Sequence, residues 1–171
     1  MSKNSLALVR ARSEFDRLLS EPENFPIRFT YRDTVYHGFS DLDRIENVIK
    51  DTADGQEFSM KFLLDEFCSV GVYGKYCAEF GEYEYTLYFE NNGTAPSGVI
   101  SDVYCLDTVF SGADGMLRGI LGDHDNFYQG YQHPLSEKEI FFESDIGRAT
   151  HIVFPYFDLV HGNGGSLIAL G

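Results

Sequence analysis

Basic side chains are scarce in this sequence of 171 residues. It has 13 Lys and Arg against 27 Asp and Glu, which gives a formal net charge of −14. The few cations are not gathered in one place, so the phosphates of a nucleic acid would be repelled rather than bound. We therefore expect no nucleic-acid partner, whereas a neutral ligand such as a sugar is compatible with this charge.

Long apolar runs and close cysteine pairs are also missing. No stretch approaches the roughly 20 consecutive apolar residues that a membrane-spanning helix needs. Cys68, Cys77 and Cys105 are an odd number without a Cys-x-x-Cys spacing, and Met1-Ser2-Lys3-Asn4 is not followed by the apolar core of a signal peptide. The sequence therefore predicts no membrane association and a cytoplasmic protein with reduced, buried thiols.

Tryptophan is absent, yet the chain is rich in other aromatic residues and in glycine. Hydrophobic residues make up 43% of the sequence and aromatic residues 15%, and there are 17 Gly. This composition excludes a disordered or collagen-like chain and favours a sheet-rich globule with many tight turns. The length fits one domain with one core, and it leaves open whether the chain forms a homo-oligomer.

The clearest predicted strand is Glu82–Glu90. Side chains of a strand alternate between its two faces, and here one face is aromatic or aliphatic while the other is mainly polar. The turn Asn91-Asn92-Gly93 follows, where Asn-Gly tolerates the positive φ of a tight reversal. We expect the chain to return through Val99–Leu106 and to form an antiparallel pair with this strand.

One helix and several further strands precede it. Apolar residues at helical spacing predict a helix over Ser5–Leu19, and alternation on both sides of a turn predicts a hairpin over Pro26–His37. The segment Asp41–Thr52 fits either a helix or a strand, and we favour a strand because a turn and an alternating segment come next. Glycines within Phe67–Phe80 indicate a bulge or a close approach of another backbone.

The second half of the chain has a different character. The segment Asp107–Glu137 combines many glycines with acidic and aromatic residues and has no obvious period, which is typical of a loose or functional segment. Strands are predicted at Lys138–Glu143 and Ala149–Asp158. A turn at Gly162–Gly165 leads into a last strand, Ser166–Leu170.

Several stretches, in this order, resemble the N-terminal β-sandwich domain of the α-galactosidase-like glycoside hydrolases, family 36 and its relatives. The likeness covers most of the chain and depends on the order of the pieces. Tyr85 stands where relatives commonly have Trp, and the sequence ends just before the Trp-Ser-Gly that is expected next. The stretches are Phe25–Tyr31, Glu84–Gly93 with Ile100-Ser101-Asp102 and Leu106-Asp107, Gly147-Arg148, Phe154–Phe157, and Gly164–Gly171.

This resemblance implies a mainly β fold: a large, twisted antiparallel β-sandwich of the galactose-mutarotase-like kind, with a short N-terminal helix. It implies that residues 1–171 are a single domain, truncated before a catalytic (β/α)8 barrel that would be its partner. The catalytic carboxylates of the family lie in that barrel, so no catalytic residue is assigned here and the chain alone is expected to hydrolyse nothing. The implied role is to support and partly line a carbohydrate-binding cleft; the alternative is a self-sufficient carbohydrate-binding or protein-interaction domain.

The densest polar cluster, Asp123–Asn126, is the candidate binding site. It fails as a calcium loop because Phe127 stands where an oxygen ligand is needed and no Glu follows at the required spacing, so no metal is predicted. As a sugar contact, Asp125 would accept from paired hydroxyls while Phe127 or Tyr128 stacked on the ring. The favoured interpretation is that these are solvated acids of a turn. Arg148 would add a forked donor for sugar hydroxyls, although structural pairing with an acid is favoured.

Two further patterns lack the groups that their chemistry needs. His151 and His161 have no Ser or Cys nucleophile in a recognisable elbow motif. Gly162–Gly165 lacks the Lys-Ser/Thr and the helix that give a phosphate-binding loop its field. The sequence therefore predicts neither a catalytic triad nor a cofactor.

Overall fold

The structure, a computed structural model, describes residues 3–110, 114–124, 127–136, 139–144, 146–161 and 164–171. Within these ranges the chain forms one α-helix, one short 3-10 helix and eleven strands, which make three antiparallel sheets. A mainly β, antiparallel sandwich with an N-terminal helix is thereby confirmed. The chain divides into two compact units, Met1–Thr108 and Val109–Gly171; that residues 1–171 form one domain stays a prediction.

The N-terminal unit contains the helices and the first seven strands. Helix α1 spans Lys3–Ser20, and the 3-10 helix spans Pro22–Asn24. The strands are β1 (Arg28–Tyr31), β2 (Thr34–His37), β3 (Asp43–Asp51), β4 (Gly55–Leu63), β5 (Cys68–Cys77), β6 (Glu82–Asn91) and β7 (Ile100–Tyr104).

Two sheets form the sandwich of this unit. One has the strand order β2-β1-β7, and the other is a meander in the order β3-β4-β5-β6. Aromatic contacts join them across the core: Phe29 on β1 lies edge-on to Phe89 on β6, with 5.2 Å between the ring centres. The buried residues of this core are Phe15, Leu18, Leu19, Phe25, Ile27, Phe29, Tyr31, Phe39, Phe58, Met60, Phe62, Cys68, Val70, Val72 and Tyr76.

Helix α1 covers part of the meander sheet with its apolar face. The predicted helix over Ser5–Leu19 is confirmed, and it ends where Pro22 stops the intrahelical hydrogen bonds. Phe15 stacks on Tyr76 with ring centres 4.9 Å apart, and it also meets Phe58 at 5.7 Å. This one side chain therefore joins the helix to two neighbouring strands, β4 and β5.

The predicted hairpin over Pro26–His37 is confirmed as β1 and β2, and the favoured strand over Asp41–Thr52 is confirmed as β3. Strand β6 alternates as predicted, since Tyr83, Tyr85, Leu87 and Phe89 are half-buried against the core. The close backbone approach predicted for the glycines of Phe67–Phe80 occurs at Gly74, where an added Cβ would meet the carbonyl oxygen of Glu84.

The predicted pairing of β6 with the strand after it is wrong. Strand β7 pairs with β1 in the other sheet, through Arg28↔Tyr104 and Tyr31↔Ile100. The connecting segment does not make a tight turn after β6: the amide of Arg32 donates to the carbonyl of Val99, and this bond directs the chain toward β1. A loop of this length with Pro96 and Gly98 can cross between sheets, whereas a two-residue turn cannot.

The C-terminal unit is a four-stranded sheet in the order β11-β10-β8-β9. Its strands are β8 (Met116–Leu121), β9 (Gly130–Pro134), β10 (Val153–His161) and β11 (Gly164–Ala169). Gly119 on β8 faces Tyr131 on β9, and the Tyr131 ring occupies the space where a Cβ would lie. Glycine at this position therefore lets a large ring lie flat over the neighbouring strand.

Three predictions for this unit need correction or refinement. The segment Asp107–Glu137 is not one long irregular segment, because it contains β8 and β9. Residues 139–143 of the predicted strand Lys138–Glu143 are irregular, and the strand predicted at Ala149–Asp158 begins only at Val153, after a turn. The last strand is confirmed as β11, whereas Gly162 and Asn163 of the predicted turn lie outside the described residues.

Alkaline pH is expected to destabilise the N-terminal unit through a half-buried tyrosine. Burial raises the pKa of Tyr83 to about 12, from an ordinary value of about 10. The phenol loses its proton more readily in the unfolded chain, so its contribution is complete below pH 10 and disappears as the pH rises through about 12. With allowance for its partial exposure, we expect a loss of about 1 to 2 kcal/mol over this interval.

Urea unfolding of the wild type and of Tyr83→Phe checks this expectation. The two free energies of unfolding should be similar at pH 7 and should diverge above pH 10, because phenylalanine does not titrate. If the difference between the two free energies of unfolding stayed constant up to pH 12, the pKa of Tyr83 would be the same in the folded and the unfolded chain.

Candidate functional site

The outer face of the β3–β6 sheet carries rows of charged and aromatic side chains around a groove. The inner face of this sheet packs on the core, so the outer face holds the residues that alternate with the buried ones. The strand registers place one outer residue of each strand in a row across the sheet. One such row is Glu46, Lys61, Gly71 and Tyr88.

A groove lies over Gly71, in the middle of this face. A Cβ added at Gly71 would meet only the carbonyl oxygen of Met60, at 3.5 Å, so the space above the strand is open. The tyrosines beside it, Tyr73 and Tyr88, are 50% and 56% exposed. The groove has a volume of about 250 Å³ and is lined by Glu46, Ser59, Met60, Lys61, Ser69, Gly71, Val72, Tyr73, Tyr88 and Glu90; we call it the Gly71 groove.

Its polar side chains are held in place by one another. The hydroxyl of Ser59 donates to Oε1 of Glu46 at 2.6 Å. Lys61 on β4 forms an ion pair with Glu90 on β6, so its side chain crosses β5. Gly71 is the partner of Lys61 in the ladder, and no atom of Lys61 lies within 4 Å of the position that a Cβ would take at Gly71. The groove therefore presents charged donors and acceptors in fixed positions beside two exposed rings.

Charges alternate along another row of the same face. Lys50, Glu57, Lys75 and Glu84 lie opposite one another on successive strands. Lys75 and Glu84 are 3.0 Å apart, and this hydrogen bond together with the charge of Glu84 raises the pKa of Lys75. Although the whole chain is strongly acidic, this face carries cations paired with anions. It therefore has no strong preference for a ligand of either charge.

A wider hollow of about 950 Å³ lies where the β3–β4 and β5–β6 connections meet the end of the sheet. Arg12 at its wall is already bound, since it donates to Gln56 at 2.9 Å and pairs with Asp16 at 2.8 Å. Acids outnumber bases in its lining, and no pair of exposed aromatic rings flanks it in the way that Tyr73 and Tyr88 flank the groove. The acidic side chains are Asp51, Asp54, Glu57, Glu79 and Glu82, and the basic ones are Arg12 and Lys75.

The sequence-predicted site lies in the C-terminal unit. Asp125 is outside the described residues. Phe127 is 70% exposed, and Tyr128 is 56% exposed with a φ of 62°, which is the left-handed region that few residues other than glycine adopt. The Tyr128 ring lies edge-on to Phe154 at 5.6 Å. Both rings are therefore exposed, and Tyr128 is also supported by Phe154.

Arg148 is paired with an acid, which was the favoured interpretation. Its guanidinium lies 2.9 Å from Oδ1 of Asp123. The amide of Tyr128 donates to the carbonyl of Gly122, so Arg148 and Tyr128 are attached to adjacent residues of one loop. The same loop brings His124 to His151, with 2.9 Å between their ring nitrogens.

Neither unit gathers the ligands of a metal site in the part of the chain that the structure describes. No three His, Cys, Asp or Glu side chains there lie close enough to hold an ion. No helix within the same ranges combines the length and the apolar character that crossing a bilayer requires.

Comparison with known proteins assigns no family to the chain. No family model, no curated protein and no solved structure matches the chain. The likeness to family 36 glycoside hydrolases and to galactose-mutarotase-like domains therefore stays a prediction that depends on the sequence stretches alone.

The Gly71 groove was missed at the level of sequence. Two signals for it are present: glycine within an otherwise aromatic strand, and Tyr88 on the polar side of β6. The sequence does not reveal the register of the strands, which places Gly71 between Tyr88 on β6 and Lys61 on β4. Register between strands depends on non-local contacts, so no pattern within one strand supplies it.

Proposed function

We propose that this chain is a non-catalytic carbohydrate-binding β-sandwich, and that the Gly71 groove contacts the sugar. One observation carries the proposal: two exposed tyrosine rings flank an open stretch of backbone, with fixed donors and acceptors beside them. The flat faces of the rings suit the apolar C–H face of a sugar ring, and hydroxyl groups suit the polar side chains. The paired charges of the face favour a neutral ligand.

The groove is small and shallow, which bears on the size of the ligand. Its volume of about 250 Å³ lies below the roughly 300 to 1,000 Å³ of pockets that enclose a drug-sized molecule. A single sugar unit would be held on one side by the groove while the rest of the ligand remained in solvent. We therefore propose that the groove binds one unit of a larger saccharide weakly, with a dissociation constant in the millimolar range.

We also propose that the chain belongs to a larger enzyme of the kind that the sequence resemblance implies. The domain would support and partly line the carbohydrate-binding cleft of an α-galactosidase-like glycoside hydrolase, whose catalytic barrel would be its partner. No catalytic residue of this chain is assigned. Turnover of p-nitrophenyl α-galactoside by the purified chain would contradict this part of the proposal.

Affinity measurements on tyrosine variants test the groove. We expect Tyr88→Ala and Tyr73→Ala each to weaken the binding of a neutral saccharide about tenfold, because each removes one stacking face. Titration calorimetry or NMR with a panel of mono- and disaccharides at millimolar concentration measures the effect. The matched control is Tyr156→Ala, which removes a 42%-exposed tyrosine from β10 in the C-terminal unit.

The same panel distinguishes the groove from the loop that the sequence singled out. Phe127→Ala and Arg148→Ala should leave affinity unchanged if the groove is the site. Loss of binding in those two variants, with Tyr73→Ala and Tyr88→Ala unaffected, would place the site at the loop instead. A wild-type chain that binds no saccharide at all would favour a support or protein-interaction domain.

A further inference from the structure

Strand β3 differs from every other strand of the N-terminal unit in its exposure. All nine of its residues, Asp43–Asp51, are exposed, on both faces of the strand. Three of them are large aliphatic residues: Ile45, Val48 and Ile49 are 51%, 52% and 49% exposed. A strand that extends past the core in this way leaves apolar surface in water on two faces.

Strand β3 is also the outermost strand of its sheet in the described part of the chain. One side of its backbone pairs with β4, and the other side presents free hydrogen-bonding groups along the edge. Strand β6 at the opposite edge is different, because Tyr83, Tyr85 and Leu87 on its inner face are half-buried against the core. Of the two edge strands, β3 is therefore the more exposed.

We propose that β3 pairs with β3 of a second copy of this chain, antiparallel, about a two-fold axis that passes through Val48. The two meander sheets then form one continuous sheet of eight strands. The choice of a second copy, and of this register, comes from the charges along the strand.

Symmetry limits the registers to a few. A two-fold axis perpendicular to the sheet keeps each side chain on its own face, so a residue is paired either with itself or with one an even number of positions away. Centring the pair on Asn47 opposes Glu46 to Val48 and gives no opposite-charge pair, because Asp43 and Arg44 lie beyond a bulge at Ile45 that changes the faces of the strand. Like charges directly opposite each other on neighbouring strands destabilise the pairing.

The register centred on Val48 opposes unlike charges instead. It places Val48 against its own copy and Glu46 against Lys50 on both sides of the axis, so two opposite-charge pairs flank an apolar pair. Centring on Glu46 opposes two carboxylates, and centring on Ile49 shortens the ladder and gives no opposite-charge pair. Centring on Ile45 would place the bulge of β3 on the axis itself, where a regular ladder is interrupted. The charge pattern of β3 therefore matches that of its own copy best in one register.

The two-fold axis also fixes where the Gly71 grooves would lie. Val48 and Glu46 are on the outer face of the sheet, since they pair with Ser59 and Lys61. An axis perpendicular to the sheet preserves this face in the second copy. Both grooves would thus open on the same side of the eight-stranded sheet, although the pairing itself does not depend on what they bind.

Sedimentation velocity on the full chain and on charge-swapped variants tests the pairing. We expect a dimer for the wild type and a dissociation constant raised about tenfold or more in Glu46→Lys and in Lys50→Glu, because each replaces two attractive pairs with two repulsive ones. The double variant Glu46→Lys/Lys50→Glu restores opposite charges and should return to within about threefold of the wild type. Lys75→Glu is the matched control, two strands from the edge, and should leave the dimer unchanged.

The double variant separates pairing from damage to the monomer. Within one copy, Glu46 lies beside Lys61 and Lys50 beside Glu57, so each swap puts like charges together on the sheet. If the single swaps acted by damaging the monomer, the damage would add up in the double variant. If they act on the pairing of the two strands, the double variant should form the dimer again. A wild type that is monomeric at every concentration, a dimer insensitive to the single swaps, or a double variant that stays dissociated would each overturn the proposal.

Discussion

Gly74→Ala is expected to lower the free energy of unfolding by about 3 kcal/mol or more, the upper range for placing extra volume in a packed core. An added Cβ would run into the carbonyl oxygen of Glu84 and would lie 2.6 Å from Cε1 of Phe58. The carbonyl belongs to the ladder between β5 and β6 and cannot turn aside. The Phe58 ring is 2% exposed and has no free space to move into.

The control for this substitution lies three residues earlier on the same strand. Gly71→Ala places its Cβ on the outer face, where the one neighbour is the carbonyl oxygen of Met60 at 3.5 Å. We expect a change within about 0.5 to 1 kcal/mol, in the stabilising direction, because alanine loses less backbone entropy than glycine in a strand. Urea unfolding of both variants measures the contrast, and equal losses at the two positions would contradict the assigned faces of β5.

Phe15→Ala is the second substitution with a large expected effect, about 3 to 5 kcal/mol. Phe15 is 1% exposed and contacts the rings of Phe58, Tyr76 and Tyr83. Its removal leaves a cavity between helix α1 and the sheet and eliminates the contacts with all three rings. We also expect the helical circular dichroism signal to weaken at lower urea concentration than in the wild type.

Val9→Ala is the matched change on the same helix. Val9 is 53% exposed, so little apolar surface is lost, and alanine has the higher helix propensity. Stability should change by less than about 0.5 kcal/mol. A Phe15→Ala variant as stable as Val9→Ala would show that the helix is not part of the cooperative unit.

Local pattern was enough for most elements of the N-terminal unit. The alternation in β6 assigned the inner face of that strand correctly, and helical spacing placed Phe15 among the core residues of α1. Each of these depends on residues within one element, where the periods of 3.6 and 2 are read directly. The hairpin of β1 and β2 was equally local, because its turn, Arg32-Asp33, has two residues.

Contacts between distant segments were not predicted. Strand β7 was assigned to β6 because it comes next in the sequence, but its pairing with β1 depends on contacts far apart in the chain. Strands β8 and β9 were missed because glycines interrupt the expected pattern: Gly119 carries no side chain so that Tyr131 fits beside it. The Gly71 groove exists only once three registers are combined, β3 with β4, β4 with β5 and β5 with β6.

The measurement that tests the central claim most directly is an NMR titration of the isotopically labelled chain with neutral saccharides. If the groove binds sugar, the amide signals of Gly71, Tyr73 and Tyr88 should shift and saturate together in the millimolar range, and Tyr88→Ala should raise the saccharide concentration at half-saturation about tenfold. Saturable shifts confined to Phe127 and Tyr128, or none with any saccharide in the panel, would contradict the account of the Gly71 groove as the carbohydrate site.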